Sequence, residues 1–426
     1  MAEPVTTEVA TAGAEDAPRP ETALSLLRRR DFRRAYGAVA ISELGDAFQY
    51  IALMWFALLA GGPLGVIAVR LADSVPAIVF GLHGGVVADR WDRRRVMIVS
   101  DLVRGLVLVP VAIAGLFGHL PLAALVGAAF VLTAATSYFA PAYGALLPAL
   151  VDRRNVQQAN GLVRATADAL SVGGWALAGL LLTFLPISAF FALNAASFFI
   201  SALMLAGVRT RGRSASPAQP PRIREGFAVL RPRPALAASV VVLGIAVTIS
   251  SGTWIVGVPE LVRSTLGLGA GSFSLVAASY ALGSIGAGAA LARFPVRRKA
   301  SASMLAWAVY LPAYMLFATA DSLGVALAAG ICSGIGQGSA WVLINSAAQE
   351  EVPDRFLGRV TGLIALVHRG AHATGLLFIS PLFAVTAPAG VFAAAAVAIP
   401  LTGLAGLLVS RAAEARAHAT NRSPRS

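Results

Sequence analysis

The chain has 426 residues, of which 57% are hydrophobic and 13% are charged, and its mean hydropathy is +0.74. Because a typical soluble domain carries about 25% charged residues, this composition excludes an ordinary soluble protein and predicts a protein embedded in a membrane. The net charge of +13 does not indicate a nucleic-acid-binding protein, since such a basic soluble chain would be far less apolar, and the one cysteine, Cys332, excludes a disulfide framework.

The N-terminal segment, residues 1–27, is polar and rich in small residues and prolines. It lacks the apolar core and cleavage site of a secretory signal peptide. We expect it to be a disordered cytoplasmic tail.

Twelve long apolar runs follow, separated by turn residues and charges. A bilayer core about 30 Å thick requires roughly 20 apolar residues per helix, so each run is long enough to cross. The sequence predicts an all-α integral membrane protein with twelve transmembrane helices. The predicted spans, numbered 1 to 12, are 35–59, 64–88, 96–117, 121–143, 159–183, 188–208, 235–258, 272–292, 301–320, 322–346, 360–384 and 389–410.

One long polar segment, residues 209–234, interrupts the spans near the middle of the chain. It is rich in Pro, Ser and Arg, which is typical of a linker. We expect two pseudo-symmetric six-helix bundles, residues 28–208 and 235–410, joined by this cytoplasmic linker and followed by a cytoplasmic tail, residues 411–426.

The basic residues predict the orientation in the membrane. If the N-terminus is cytoplasmic, 28 of the 34 Lys and Arg residues fall on the cytoplasmic side, whereas the loops of the other side hold only Arg263. Lys and Arg concentrate in cytoplasmic loops of membrane proteins. We therefore expect a multi-pass protein of the plasma (inner) membrane with both termini in the cytoplasm.

The two halves share a weak internal repeat. A shift of 203 residues places Gly85–Arg95 over Gly288–Arg298 and aligns a glycine, two aromatic residues and three arginines. Repeats of this kind occur in secondary transporters.

The loop between spans 2 and 3 carries a distinctive pattern. Gly81, Gly85 and Asp89 follow one another at intervals of four, and Arg90, Arg93 and Arg94 come next. Small residues at this spacing form a flat stripe that lets another helix approach closely. The pattern resembles the signature loop of the major facilitator superfamily, with Asp92 where that family usually has glycine. The resemblance covers residues 28–410.

This resemblance implies a two-bundle transporter that works by alternating access. It also implies that Asp89 contacts the start of span 11 and stabilises the state open to the outside, with Gly85, Arg90, Arg93 and Arg94 completing the latch.

Three further strings narrow the resemblance. "SELGDAFQYIALMWFALL", "GGVVADRWDRRR" and "VPELVRSTLGLGAGSFSLVAASYALGSIGAG" resemble the branch of siderophore exporters and macrolide efflux proteins. "GWALAG" in span 5 resembles the antiporter motif Gly-Pro-x-x-Gly-Gly, with Trp175 in place of proline and Ala178 in place of a glycine.

Ionisable residues inside the spans are functional candidates, because a charge in the bilayer interior is costly unless it is paired or hydrated. The candidates for proton coupling are Asp46, Glu43, Asp73 and Asp168, and their candidate charge partners are Arg70, Arg164, Arg369, Asp101 and Arg104. Spacings of three or four residues place Glu43 with Asp46, Arg70 with Asp73, Asp101 with Arg104, and Arg164 with Asp168 on shared helix faces.

Depth and face lead us to expect proton coupling first at Asp46 and then at Glu43, since two nearby carboxylates repel when both are ionised. These acids could instead be structural partners of Arg70 or Arg164. Asp73 is expected to meet Arg369 across the halves, and Asp101 and Arg104 to extend the loop network.

Polar and aromatic residues on spans 1, 7 and 10 are candidates for a substrate cavity, because the resemblance implies that these spans line it. They are Gln49, Tyr50, Trp55, Trp254, Gln337, Trp341 and Asn345. His368 and His372 on span 11 are expected to be hydrogen-bonded packing residues, and no carboxylate beside them indicates a metal site.

We expect a secondary active transporter that exports an amphipathic small molecule, such as a drug, siderophore or secondary metabolite, in exchange for protons. An importer or lipid flippase on the same fold, and a non-transporting membrane sensor, are the alternatives. The chain lacks the phosphate-binding pattern Gly-x-x-x-x-Gly-Lys-Ser/Thr and convergent nucleophile and base residues, so no ATP, cofactor or enzymatic activity is expected. The expected partners are the small molecule, protons and the lipid bilayer, with the chain as a monomer.

Overall fold

The computed structural model describes residues 23–152, 155–182, 184–209, 228–294 and 296–422. In these ranges all regular secondary structure is helical. The helices, after a 3₁₀ turn at Ala23–Arg28, are α1 (Arg30–Arg90), α2 (Arg93–Leu116), α3 (Leu122–Leu150), α4 (Val156–Leu181), α5 (Ala189–Ala206), α6 (Pro234–Thr265), α7 (Ala270–Arg293), α8 (Lys299–Ala318), α9 (Leu323–Glu351), α10 (Asp354–Phe378), α11 (Leu382–Val385) and α12 (Pro388–Arg422).

Helix α1 contains predicted spans 1 and 2 as two limbs that meet at Gly62. The backbone of Gly62 has φ 59° and ψ −152°, a conformation that residues with a Cβ rarely adopt. A Cβ placed on Gly65 would contact the carbonyl oxygen of Ala57, eight residues earlier. In a straight helix these residues would be about 12 Å apart, so the chain reverses direction at Gly62.

Ten segments of the described chain are long and apolar enough to cross a membrane. The first, Arg30–Gly81, has 52 residues and includes the reversal at Gly62. Helix α4, which carries predicted span 5, is not among the ten. The all-helical membrane fold is confirmed, whereas the count of twelve spans stays a prediction.

Two segments that were expected to lie outside the bundles pack against them at their ends. Leu26, from the expected tail, is fully buried beside Phe32 and Leu147. Leu230, near the end of the expected linker, is also buried, and Arg233 Nε donates to the carbonyl oxygen of Glu351 at 2.7 Å. The apolar residues in these otherwise polar segments explain the difference. Residues 1–22 and 210–227 lie outside the described residues.

Helix α6 changes its hydrogen-bonding pattern near its middle. Thr253–Gly257 and Leu261–Thr265 are π-helical, with a single α-helical turn between them. Short π-helical segments often occur at functional sites. Here the change occurs beside Trp254, one of the cavity candidates.

Residues 30–206 and 234–422 pack mainly within themselves and meet each other at one end. Trp55 of α1 stacks on Phe273 of α7 with ring centroids 6.3 Å apart. Ser274 Oγ donates to the carbonyl oxygen of Trp175 on α4. These contacts lie at the end of the molecule opposite to the basic loops, so the halves are closed together at the predicted external end.

Two adjacent glycines of α1 differ in their surroundings. A Cβ on Gly84 would overlap the backbone of Ser137 on α3, whereas a Cβ on Gly85 would meet open space. The close packing of α1 on α3 therefore depends on Gly84.

We expect Gly84→Ala to lower the free energy of unfolding by about 1–3 kcal/mol, because the added methyl group forces α1 and α3 apart. Gly85→Ala is the matched control, and its improved helix propensity should leave stability unchanged or slightly raised. Thermal unfolding of both variants in the same detergent measures the difference. Equal stabilities would contradict the packing of α1 on α3.

Candidate functional site

Asp46 lies in a hydrogen-bonded cluster between α1 and α5. Asn194 Nδ2 donates to Asp46 Oδ1 at 3.0 Å and to Gln49 Oε1 at 2.6 Å, and Ser197 Oγ donates to Asn194 Oδ1 at 2.8 Å. A Cβ on Gly45 would collide with Asn194 and Ser197, so this glycine lets the helices approach closely enough for the contact. Sequence reasoning missed Asn194, although an amide within the apolar string "AFFALNAASFF" is a signal of such a contact.

The two acids of predicted span 1 have different surroundings. Asp46 contacts α5, whereas Glu43 borders a small crevice against Val163, Thr166 and Ala167 of α4. The charge repulsion that motivated their pairing is therefore not the main feature of Asp46, whose carboxylate is held by a neutral amide.

Asp73 is paired within its own half. Arg70 Nη1 donates to Asp73 Oδ2 at 2.6 Å, and Thr133 Oγ1 of α3 donates to Asp73 Oδ1. The expected pair of Asp73 with Arg369 is not formed in this conformation, and Arg369 is exposed. The three-residue spacing between Arg70 and Asp73 gives the local pair.

Asp101 and Arg104 form an ion pair inside the first half, with at most 4% of either side chain exposed. Ser201 Oγ donates to Asp101 Oδ2 at 2.6 Å, and the Arg104 guanidinium lies over the rings of Phe198 at 4.2 Å and Phe139 at 4.6 Å. The expectation that these residues extend the loop network is wrong. The ion pair and the ring faces together let the cation lie in the interior.

Two arginines of the loop between α1 and α2 bind carbonyl groups near the ends of other helices. Arg93 Nη1 donates to the carbonyl oxygen of Ala145 at 3.0 Å, and Arg94 Nε donates to that of Leu205 at 2.9 Å. Cations near the last carbonyl groups of helices stabilise them. Arg93 and Arg94 therefore fasten the loop to the ends of α3 and α5.

Asp92 explains the departure from the family pattern in this loop. Its carboxylate accepts a hydrogen bond from the backbone N–H of Arg95 at 2.8 Å and caps α2. The side chain of Asp89 lies outside the described residues, as does that of Asp168. With open space beside Gly85, the latch contact stays a prediction for a different conformation. Arg164, the expected partner of Asp168, is exposed.

An aromatic recess of about 50 Å³ lies in the second half. Trp254 contacts Tyr280 with ring centroids 4.4 Å apart, and Tyr310 donates to Gln337 Oε1 at 3.2 Å. Trp254 and Gln337 thus lie together as expected for a cavity. The remaining lining residues, which sequence reasoning missed, are Ser250, Ser251, Ile255, Tyr280, Tyr310 and His372.

The other cavity candidates surround this recess or lie apart from it. Trp341 contacts His368 at 4.7 Å between centroids, and His368 contacts His372 at 4.6 Å. Asn345 Nδ2 donates to the carbonyl oxygen of Trp341 on its own helix. Trp55 is buried in the closed end between the halves and does not line the recess.

Electrostatic interactions link the recess to the first half. Tyr280 lies within electrostatic range of Tyr50, and His372 lies within that of Arg70. Tyr50 in turn contacts Trp175 at 5.5 Å between ring centroids. The recess of the second half therefore interacts electrostatically with Tyr50 and Arg70 of the first half.

The chain is similar in sequence to curated membrane transporters. It is 30% identical over 167 residues to the uncharacterized MFS-type transporter YfiS of Bacillus subtilis, a match that covers 39% of each chain. It is 26% identical over 206 residues to macrolide efflux protein A of Streptococcus pyogenes, covering 47% of this chain and 51% of that protein. The chain thus spans between about two fifths and half of the length of these relatives.

Solved structures and a family model extend the likeness over most of the chain. The nucleoside transporter NupG has a TM-score of 0.67 at 14% identity, covering 89% of this chain and 98% of that one. A bacterial homolog of the human lysosomal transporter Spinster, inward-facing and unoccupied, has a TM-score of 0.61 at 14% identity, covering 91% and 96%. At these identities the likeness shows the fold alone. The model of the Major Facilitator Superfamily matches residues 36–376, and the chain belongs to this family of transporters.

Proposed function

We propose that the chain exports an amphipathic organic molecule across the plasma membrane by alternating access, in exchange for protons. The observation that supports this most directly is the aromatic recess with Trp254, Tyr280 and Gln337 in the second half, together with the part-buried carboxylates of Asp46 and Asp73 in the first half. Aromatic faces with a few polar groups suit an amphipathic ligand.

The closed end supports alternating access. The contacts there use small and aromatic side chains, such as Gly179 against Gly271 and Trp55 against Phe273. Such contacts can separate without leaving an unpaired charge. We assign the basic end to the cytoplasm, so this conformation is closed at the external end. A rocking motion that brings the Gly81 and Gly85 face of α1 against the other half would open that end.

The direction of transport is proposed from the relatives. Macrolide efflux protein A is named for efflux, and its match covers nearly half of this chain. "GWALAG" in α4, with its resemblance to the antiporter motif, supports exchange against protons. An importer would instead move the compound into the cell. A lipid flippase would move lipid from one leaflet of the membrane to the other.

A panel of amphipathic compounds, including macrolides and siderophores, tests export. Cells that overexpress the chain should accumulate less of at least one compound than cells lacking it, and a protonophore should abolish the difference. Trp254→Ala should raise the KM for that compound about five- to tenfold, because an aromatic contact is worth about 1 kcal/mol or more.

Phe184→Ala is the control for this variant, because Phe184 is 78% exposed and far in sequence from the recess. It should leave the KM unchanged. Equal accumulation of every compound in all cells would refute export, and equal KM values for both variants would remove Trp254 from the binding site.

Asp46 is proposed as the residue that takes up and releases the proton. Its carboxylate is part-buried, and its described hydrogen-bond partner is the neutral Asn194. A proton can therefore be added without leaving a buried cation unpaired. Asp101 differs, because its protonation would leave Arg104 without a counterion in the interior.

We expect Asp46→Asn to abolish accumulation driven by a pH gradient in proteoliposomes while retaining exchange of labelled for unlabelled substrate. Asp101→Asn should instead destabilise the fold by about 3–5 kcal/mol, since it leaves a buried charge unpaired. Flux and thermal unfolding of both variants distinguish coupling from structure. Loss of exchange together with driven transport in a folded Asp46→Asn protein, or retention of both, would contradict coupling at Asp46.

A further inference from the structure

An apolar groove of about 510 Å³ lies on the outside of the first half, where the end of α1 meets α2 and α3. Its walls are almost entirely aliphatic and aromatic, and Val99 is 59% exposed beside it. The groove is separate from the central recess. The lining residues are Val87, Trp91, Arg95, Val96, Val99, Ser100, Val103, Val131, Ala134, Ala135 and Tyr138.

The charged end of the groove lies beside the basic loop. Trp91 is 70% exposed there, and Arg95 is exposed. Arg93 and Arg94 are occupied by helix carbonyl groups. Among the described residues, the Arg95 side chain makes no such contact, although its backbone N–H is bound by Asp92. One guanidinium of this loop is therefore available at the mouth of the groove.

The long axis of the groove matches the depth of one leaflet. Arg95 and Val103 are eight residues apart on α2, a rise of about 12 Å. Tryptophan and arginine are typical of the headgroup level, with aliphatic residues at greater depth. A lipid would thus place its headgroup at Arg95 and an acyl chain along Val99 and Val103.

We propose that this groove is a binding site for an anionic phospholipid of the leaflet at the basic end. The phosphate and its net negative charge are bound by Arg95, and an acyl chain fills the apolar groove. The N-terminus of α2, which begins at Arg93, adds a favourable electrostatic potential for an anion. The Asp92 carboxylate is already bound to the α2 backbone, which limits its repulsion of the headgroup.

The proposed site extends to the end of α1. Val87 and Trp91 belong to the end of α1 and its following turn, next to the Gly85 stripe. An occupant of the groove contacts α1, α2 and α3 together. The occupied groove therefore favours one arrangement of the end of α1 relative to α2 and α3.

The test uses the full chain in nanodiscs of phosphatidylcholine with a minor fraction of lipid brominated on its acyl chain. Bromine quenches nearby tryptophan, and the signal of Trp91 is the fluorescence of the unaltered chain minus that of Trp91→Phe. Brominated phosphatidylglycerol should quench Trp91 more strongly than brominated phosphatidylcholine. Arg95→Gln should lower this preference about fivefold, which corresponds to about 1 kcal/mol.

Arg298→Gln is the matched control, because Arg298 aligns with Arg95 in the internal repeat and is exposed. It should leave the preference unchanged. Val103→Phe, which fills the groove without adding a tryptophan, should reduce quenching of Trp91 by both lipids without removing Arg95. Equal quenching by the two lipids in the unaltered chain, or equal effects of Arg95→Gln and Arg298→Gln, would overturn the proposal.

Discussion

The cost of a charge in an apolar interior determines how this molecule is assembled. Three ion pairs between described residues of the helices, Arg70–Asp73, Asp101–Arg104 and Glu260–Arg263, each form within one half. These six charged residues are thus neutralised without a partner from the other half. The contacts across the closed end use rings, hydroxyl groups and glycines instead, and these can part at low cost.

The charged residues inside the first half differ in their surroundings and therefore in their roles. Arg104 is enclosed by an acid and two rings, and it holds α2, α3 and α5 together. Asp46 is held by an amide that tolerates either protonation state. The loop arginines also differ. Arg93 and Arg94 bind carbonyl groups at helix ends, whereas Arg95 lies at the mouth of the groove, where it can bind a lipid headgroup.

The sequence predicted the positions of the helices and the residues that share a face of one helix. It did not predict the contacts between side chains of different helices. Hydropathy located the helices, and three-residue spacing placed Arg70 with Asp73 and Asp101 with Arg104 on shared helix faces. The contacts of Asn194 and Thr133 depend on the rotation and height of one helix relative to another, which no string within one span encodes. Trp55 and Arg369 were misplaced for the same reason, because their partners depend on which end of the molecule is closed.

We infer that the two halves rock about the central recess and exchange which end of the molecule is closed. The most direct measurement is a pair of distances in one Cys332→Ser background, between spin labels placed on the two halves at the basic end and, separately, at the end of Trp55 and Phe273. On addition of a transported compound or a change of pH, the account predicts a shorter distance at the basic end and a longer one at the other. Distances that stay constant, or that change in the same direction at both ends, would contradict it.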